Sequence, residues 1–214
     1  MFRHSAAEAL GNIGAGARGA IPALLKALDD QHARVRGNSA EALGKIGEQS
    51  AEVVIALTHL LRDQQKVVRE SAVRALGEMG GWAAGALPSM IALLDDGSNS
   101  VRTGALYAIG KLKKAGEPAI PKILPLLNSN NSGVVYEGAK ALGKIGVAAD
   151  GVVAQLIGLL DHREERVRDV AAFSLGRMGP AAISALAPLK RLLGDPSTDV
   201  IDAARSAIEA ISQG

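Results

Sequence analysis

The histidines, the carboxylates and one column of arginines are the residues of this chain with chemistry to offer. His4, His32, His59 and His162 occupy different positions of the internal pattern and fall mostly in different copies of it. With packed helices about 8–10 Å apart, His162 stands tens of ångströms from the others. No His-x-x-x-His pair and no carboxylate cluster replaces them at metal-ligand spacing. No glycine-rich loop opens a helix to cradle phosphate, and no serine or threonine sits in a nucleophile motif. The chain has no cysteine, which excludes disulfides and thiolate metal sites. The residues thus point to no catalytic group, no metal and no cofactor.

The arginines behave differently. Arg3, Arg36, Arg69, Arg102 and Arg168 share one column, and Asp30, Asp63 and Asp96 stand six residues before an arginine. A partly buried guanidinium needs an anion beside it. The spacing therefore predicts a structural ladder in which each arginine meets the aspartate of its own copy. In the fifth copy both are lost together, as Ser129 and Val135; in the sixth His162 faces Arg168, and in the last Asp195 faces Ile201. The rival reading is a row of phosphate-binding arginines.

A strict period positions these columns. Leu10, Leu43, Leu76, Ile109, Leu142, Leu175 and Ile208 follow one another at steps of 33 residues, with no insertion or deletion. Such self-similarity marks a solenoid, whose units bury their apolar faces only against neighbours. Each unit reads as two helices. In the first, here called A, Ile21, Leu24, Leu25 and Leu28 fit helical spacing. Pro22, Pro88 and Pro121 share a column in its first turn, where proline lacks nothing the helix needs; Pro125 lies deeper and predicts a kinked helix. The second, B, spans Ala33 to Ile46. Gly47 and its equivalents Gly14, Gly80, Gly146 and Gly179 sit where a left-handed cap is wanted. Gly44, with Gly11, Gly77, Gly110, Gly143 and Gly176, falls inside the helix, at a cost of ~1 kcal/mol against alanine. That cost points to a second helix crossing closely there; the alternative is that helix B ends early at this glycine.

On a helical wheel, positions 35, 39, 42, 43 and 46 of helix B are apolar or small in nearly every copy, and 36, 40 and 44 extend the buried arc. Positions 34, 37, 38, 41 and 45 form a face that varies between copies. The expected fold is all-α, a right-handed α-α superhelix of HEAT-like type with about 13 helices. The expected organisation is one domain over residues 1–214. A lone first B helix (1–14) precedes two-helix repeats at 15–47, 48–80, 81–113, 114–146, 147–179 and 180–214.

Val35-Arg36, Ala40, Ala42-Leu43-Gly44 and Ile46-Gly47, with Ile21-Pro22-Ala23-Leu24 and Asp29-Asp30 before them, resemble the HEAT-like repeats of phycobilisome lyase-type proteins. The resemblance covers the whole chain. It implies the fold, and it implies function only broadly, because such repeats serve lyases, scaffolds and regulatory subunits alike. A role as a component of a bilin lyase-like enzyme follows as one alternative. None of the histidines is followed by glutamate, so the His-Glu metal motifs of HEAT-like hydroxylases are missing.

Binding is the better-supported class. Tyr107, Tyr136 and Phe173, three of the five aromatics, fall on the variable stripe of helix B. Exposed rings are enriched at binding hot spots, and in a solenoid the B helices line the concave face; the alternative is that these three rings pack sideways on neighbouring repeats. Along that stripe Arg34, Lys45, Arg74, Lys111, Lys140, Lys144, Arg166 and Arg177 oppose Glu8, Glu41, Glu70, Glu78, Glu137, Asp169, Asp199 and Asp202. Eight against eight lacks the positive excess that a nucleic-acid groove needs, and the net charge of +2 adds little to it. Nucleic-acid binding is therefore the second alternative. The expected function is a non-enzymatic scaffold for a protein or peptide partner. Tyr107, Tyr136 and Phe173 are its anchors; Arg74, Lys140, Arg177, Glu70 and Asp169 orient the partner. The bare first helix offers a surface for self-association. No apolar run reaches the ~18 residues of a membrane span, and the N-terminus lacks a signal-peptide core, so a cytoplasmic protein with no membrane partner is expected. Trp82, beside Gly80-Gly81, is expected to cover a gap between repeats or to edge a binding surface.

Overall fold

A computed structural model describes residues 2–149 and 151–213. Among the described residues there are thirteen α-helices and no strand. The B helices are α1 (Arg3–Ile13), α3 (Ala33–Ile46), α5 (Lys66–Met79), α7 (Asn99–Lys111), α9 (Ser132–Ile145), α11 (Glu165–Met178) and α13 (Thr198–Ser212). The A helices are shorter: α2 (Ile21–Ala27), α4 (Ala51–Leu60), α6 (Leu87–Ala92), α8 (Ile120–Ile123), α10 (Val152–Leu159) and α12 (Leu186–Arg191). Several begin or end in 3-10 turns. The proline expectation holds, since Pro22, Pro88 and Pro121 lie in first turns. At Pro125 the effect goes beyond the expected kink, since α8 ends at Ile123 and gives way to a 3-10 segment at Leu124–Asn128.

The contacts resolve into two compact units, Met1–Leu112 and Lys113–Gly214. In the first, α1, α3, α5 and α7 stack in series, with α2, α4 and α6 packed behind α3, α5 and α7. In the second, α9, α11 and α13 stack in the same way, backed by α8, α10 and α12. The core is aliphatic, as the composition requires. Leu43, Leu76, Leu142 and Leu175 are buried in the column that defines the period. Within α3 the buried set is Val35, Gly37, Ser39, Ala40, Ala42, Leu43, Gly44 and Ile46, which departs from the expected arc at two places: Gly37 is buried, and Arg36 is only half-buried because its guanidinium reaches out to Asp63.

By length and hydropathy alone the joined elements Glu165–Gly194 could cross a membrane. Gly179 divides them at φ +58°, and the apolar residues of both halves, Val170, Leu175 and Leu189 among them, lie in the core of the second unit.

The interior glycines mark close helix crossings. A Cβ added at Gly44 would lie 2.8 Å from both Cα and Cβ of Ala75, and one at Gly176 would lie 2.9 Å from Cα of Ala207. The backbones of successive B helices touch there, and glycine is the residue that permits it. At the helix ends Gly14, Gly47, Gly80, Gly146 and Gly179 all take positive φ. The fourth copy instead carries Lys113 in that column, at φ +54°. An L side chain in this region costs roughly 1 kcal/mol. Lys113→Gly is accordingly expected to raise stability by about 1 kcal/mol, read as a higher urea midpoint at unchanged slope.

Candidate functional site

The arginine column pairs between repeats, not within them. Arg36 places Nε 2.7 Å and one terminal nitrogen 2.9 Å from the two carboxylate oxygens of Asp63. Arg69 does the same to Asp96, at 2.7 and 3.0 Å, and Arg168 to Asp195, at 2.7 and 2.8 Å. Arg3 meets Asp30 at 2.8 Å. Each of these partners lies 27 residues ahead. The expected ion pair six residues back is replaced by a hydrogen bond to a backbone carbonyl: Arg36 donates to the Asp30 carbonyl and Arg69 to that of Asp63, both at 2.8 Å. The side chain leaves the start of one B helix and reaches the turn of the next repeat. One fork holds the carboxylate while the remaining nitrogen satisfies its own turn. The carboxylates also organise those turns, accepting from the amides of Gln65, Ser98 and Ser197.

Burial would push the carboxyls of Asp63 and Asp96 up, but the paired guanidinium, a backbone amide and the neighbouring charges outweigh it and hold both below the ordinary value. The paired guanidinium holds Asp195 low as well. Arg102 breaks the series. It donates to the Asp96 carbonyl and to Asn99, and its Nε is buried without a partner. The residue 27 ahead of it is Ser129. These arginines are engaged in holding repeats together, which leaves little of a phosphate-binding row.

Residues of the variable columns line grooves in both units. In the first unit, Glu41 pairs with Lys45 at 2.7 Å and Glu70 with Arg74 at 3.4 Å. These four, with Glu78 and the exposed Val67, line an open groove of about 410 Å³ over the crossing of α3 and α5. Tyr107 is half-buried. Its ring lies against Gly77, where an added Cβ would be 3.0 Å away, and its hydroxyl is 2.6 Å from Glu78 Oε1. This ring therefore packs sideways onto the preceding B helix while keeping an exposed edge.

In the second unit, Tyr136 is half-buried with Lys140 Nζ 5.1 Å from its centroid. Phe173 is 51% exposed, with the Arg177 guanidinium 5.9 Å from its ring. Lys111 Nζ stands 5.7 Å from Tyr107 in the first unit. Each ring thus carries a cation from four residues on, one helical turn away. Asp169 joins Phe173 and Arg177 in a groove of about 600 Å³ between α11 and α13. Asp199 and Asp202, which the stripe's charges include but its set of orienting residues does not, line the same groove. Trp82 is 59% exposed in the 3-10 turn Gly80–Ala86, so it seals no gap between layers. No group of three or more metal-ligating side chains occurs among the described residues.

Comparison with known proteins agrees with this architecture. The family model for HEAT repeats matches residues 1–77, 21–110 and 120–211. No curated protein matches the chain. Among solved structures, an engineered protein is 24% identical over 89% of this chain and 96% of its own, with a TM-score of 0.76. A designed armadillo repeat protein in complex with the peptide (KR)4 is 22% identical over 89% of this chain and 99% of its own, at TM-score 0.71. The complex of CpcE and CpcF of phycocyanin lyase from Nostoc sp. PCC7120 contains a chain 27% identical over 98% of this one and 88% of its own, at TM-score 0.63.

Proposed function

As the chain belongs to the HEAT repeat family, we propose that it is a non-enzymatic scaffold that binds a protein or peptide on the face formed by its second helices. The observation that carries this reading is the coincidence of grooves with the variable columns. The cavities over α1 and α3, over α3 and α5, and over α11 and α13 are lined by that stripe, Glu41, Arg74 and Asp169 among their residues. A face that varies in charge between copies, carries partly exposed rings and is indented at the helix crossings suits an extended chain with mixed side chains. The designed armadillo neighbour with its peptide, and the two-protein lyase complex, support a polypeptide partner. In this reading Tyr107, Tyr136 and Phe173 anchor the partner, Arg74, Lys140, Arg177, Glu70 and Asp169 fix its direction, and the cytoplasm is the working compartment.

Removal of two anchors tests it. Tyr107→Ala with Phe173→Ala is expected to cut partner recovery at least about tenfold, as loss of a hot-spot ring does, with the helical circular dichroism spectrum unchanged. Undiminished recovery by a folded variant refutes the face.

The likeness to the phycocyanin lyase chain favours a second reading, a component of a bilin lyase-like enzyme. It requires tetrapyrrole binding. Titration of the purified chain with a bilin should then shift the pigment's visible absorbance, and a flat titration removes this reading.

A further inference from the structure

The groove between α11 and α13 differs from the others in how its charges are balanced. Its floor is made by small residues, Gly176 and Ala207, at the point where the two backbones meet. One wall is the half-exposed ring of Phe173. The two cations near it are already engaged. Arg177 donates from Nε to the Gly143 carbonyl at 3.0 Å while lying over the ring, and Arg205 is 2.9 Å from Asp202. Asp169 and Asp199 remain, and among the described residues no cation pairs with either. Burial, and after it the charge of Asp199, push the Asp169 carboxyl above its ordinary value. Two carboxylates in one groove, neither held in an ion pair among the described residues, beside an apolar wall, form an amphipathic slot. Its chemistry is the complement of a side chain with a long aliphatic stem and a planar cationic end.

We propose that this groove receives an arginine side chain of the partner polypeptide, its methylene stem against Phe173 and its guanidinium at Asp169 and Asp199. The assignment rests on reading the second-helix face as a polypeptide site, and it names the chemistry of one contact on that face. A guanidinium offers five donors to the two carboxylates and relieves their mutual repulsion. A lone metal ion would use neither the ring nor the length of the groove.

The test uses the full chain and a blocked peptide, Gly-Ser-Ala-Arg-Ala-Ser-Gly, alongside the same peptide with neutral, near-isosteric citrulline in place of arginine. Amide chemical shifts are followed during titration of the native protein and of Asp199→Asn, an exposed position. The arginine peptide is expected to move resonances of α11 and α13. The citrulline peptide should bind about tenfold more weakly, and Asp199→Asn should lose a similar factor for arginine alone. Equal binding of the two peptides, or indifference to Asp199→Asn, overturns the assignment. So do unmoved α11 and α13 resonances when Tyr107→Ala with Phe173→Ala still abolishes partner recovery, and in that case the wider reading of the face survives. Undiminished recovery by that double variant overturns the wider reading itself.

Discussion

Arg69→Ala is expected to destabilise the chain by about 3 kcal/mol, the largest loss available from a single polar side chain here. Asp96 is only 8% exposed at its side chain and takes both of its short ion-pair contacts from Arg69. Without them a carboxylate is left in a desolvated turn with the Ser98 amide as its remaining close donor. Arg102→Ala should cost less, about 1 kcal/mol, because Arg102 gives up hydrogen bonds to a carbonyl and an amide and abandons no carboxylate. The exposed pair Arg205 and Asp202, at 61% and 70%, should be removable with no measurable change. Urea denaturation followed by circular dichroism separates the three cases. Equal midpoints for Arg69→Ala and Asp202→Ala would mean that the ladder contributes nothing. The chain holds an internal precedent for removing both partners: Val135 and His162 occupy the two ends of one rung and leave no stranded charge.

The same rungs set an acid limit. Asp63, Asp96 and Asp195 are held below their ordinary values by their guanidinium partners, against the opposing effect of burial. The folded chain therefore binds their protons less tightly than the unfolded chain does. The stabilisation is complete above the unfolded carboxylate pKa of about 4 and is lost as pH falls through the lower folded values. Arg69→Ala should accordingly flatten the decline of stability between roughly pH 4 and pH 2, measured as the urea midpoint against pH.

Why the columns were legible and their pairing was not has a physical answer. Period, helix ends and buried arc follow from local rules of spacing, proline placement and glycine caps, and α3 begins and ends where those rules put it. Pairing depends on how far an extended side chain reaches between stacked helices. Arginine at the start of a B helix can address its own turn or the next one, and the nearer turn supplies a carbonyl instead of its carboxylate. A signal was present all the same. At a separation of 27, Arg168 meets Asp195 and Val135 meets His162, and Arg102 against Ser129 is the one mismatch; at six there are two, Arg168 against His162 and Ile201 against Asp195. For the stripe, the wheel located the rings but could not tell that Tyr107 lies down on Gly77 while Phe173 stays open, although Gly143 holds the equivalent place 30 residues before it. The Tyr107 hydroxyl finds Glu78 on the neighbouring helix, whereas Phe173 has no hydroxyl to anchor its edge.

Gly44→Val should be the most damaging aliphatic substitution, at about 3 kcal/mol. The crossing of α3 and α5 brings Ala75 Cα within 2.8 Å of where the first added carbon would sit. That atom is backbone, so no rotamer change makes room. Relief requires α3 to move off α5, which opens the buried seam formed by Leu43, Leu76 and Ala72. Gly44→Ala should cost less, about 1 kcal/mol, since better helix propensity offsets part of the clash. Gly158 supplies the contrast. It lies within α10, has ordinary φ and would meet nothing within 4 Å. Gly158→Ala should therefore stabilise by about 0.5–1 kcal/mol through the unfolded chain's lost freedom and the gain in helix propensity. Opposite signs for two helical glycines in one chain would locate the cost at Gly44 in the approach of the two backbones. If both substitutions stabilised alike, α3 and α5 would have room to spare at their crossing, and the seam that holds successive repeats together would have to lie elsewhere.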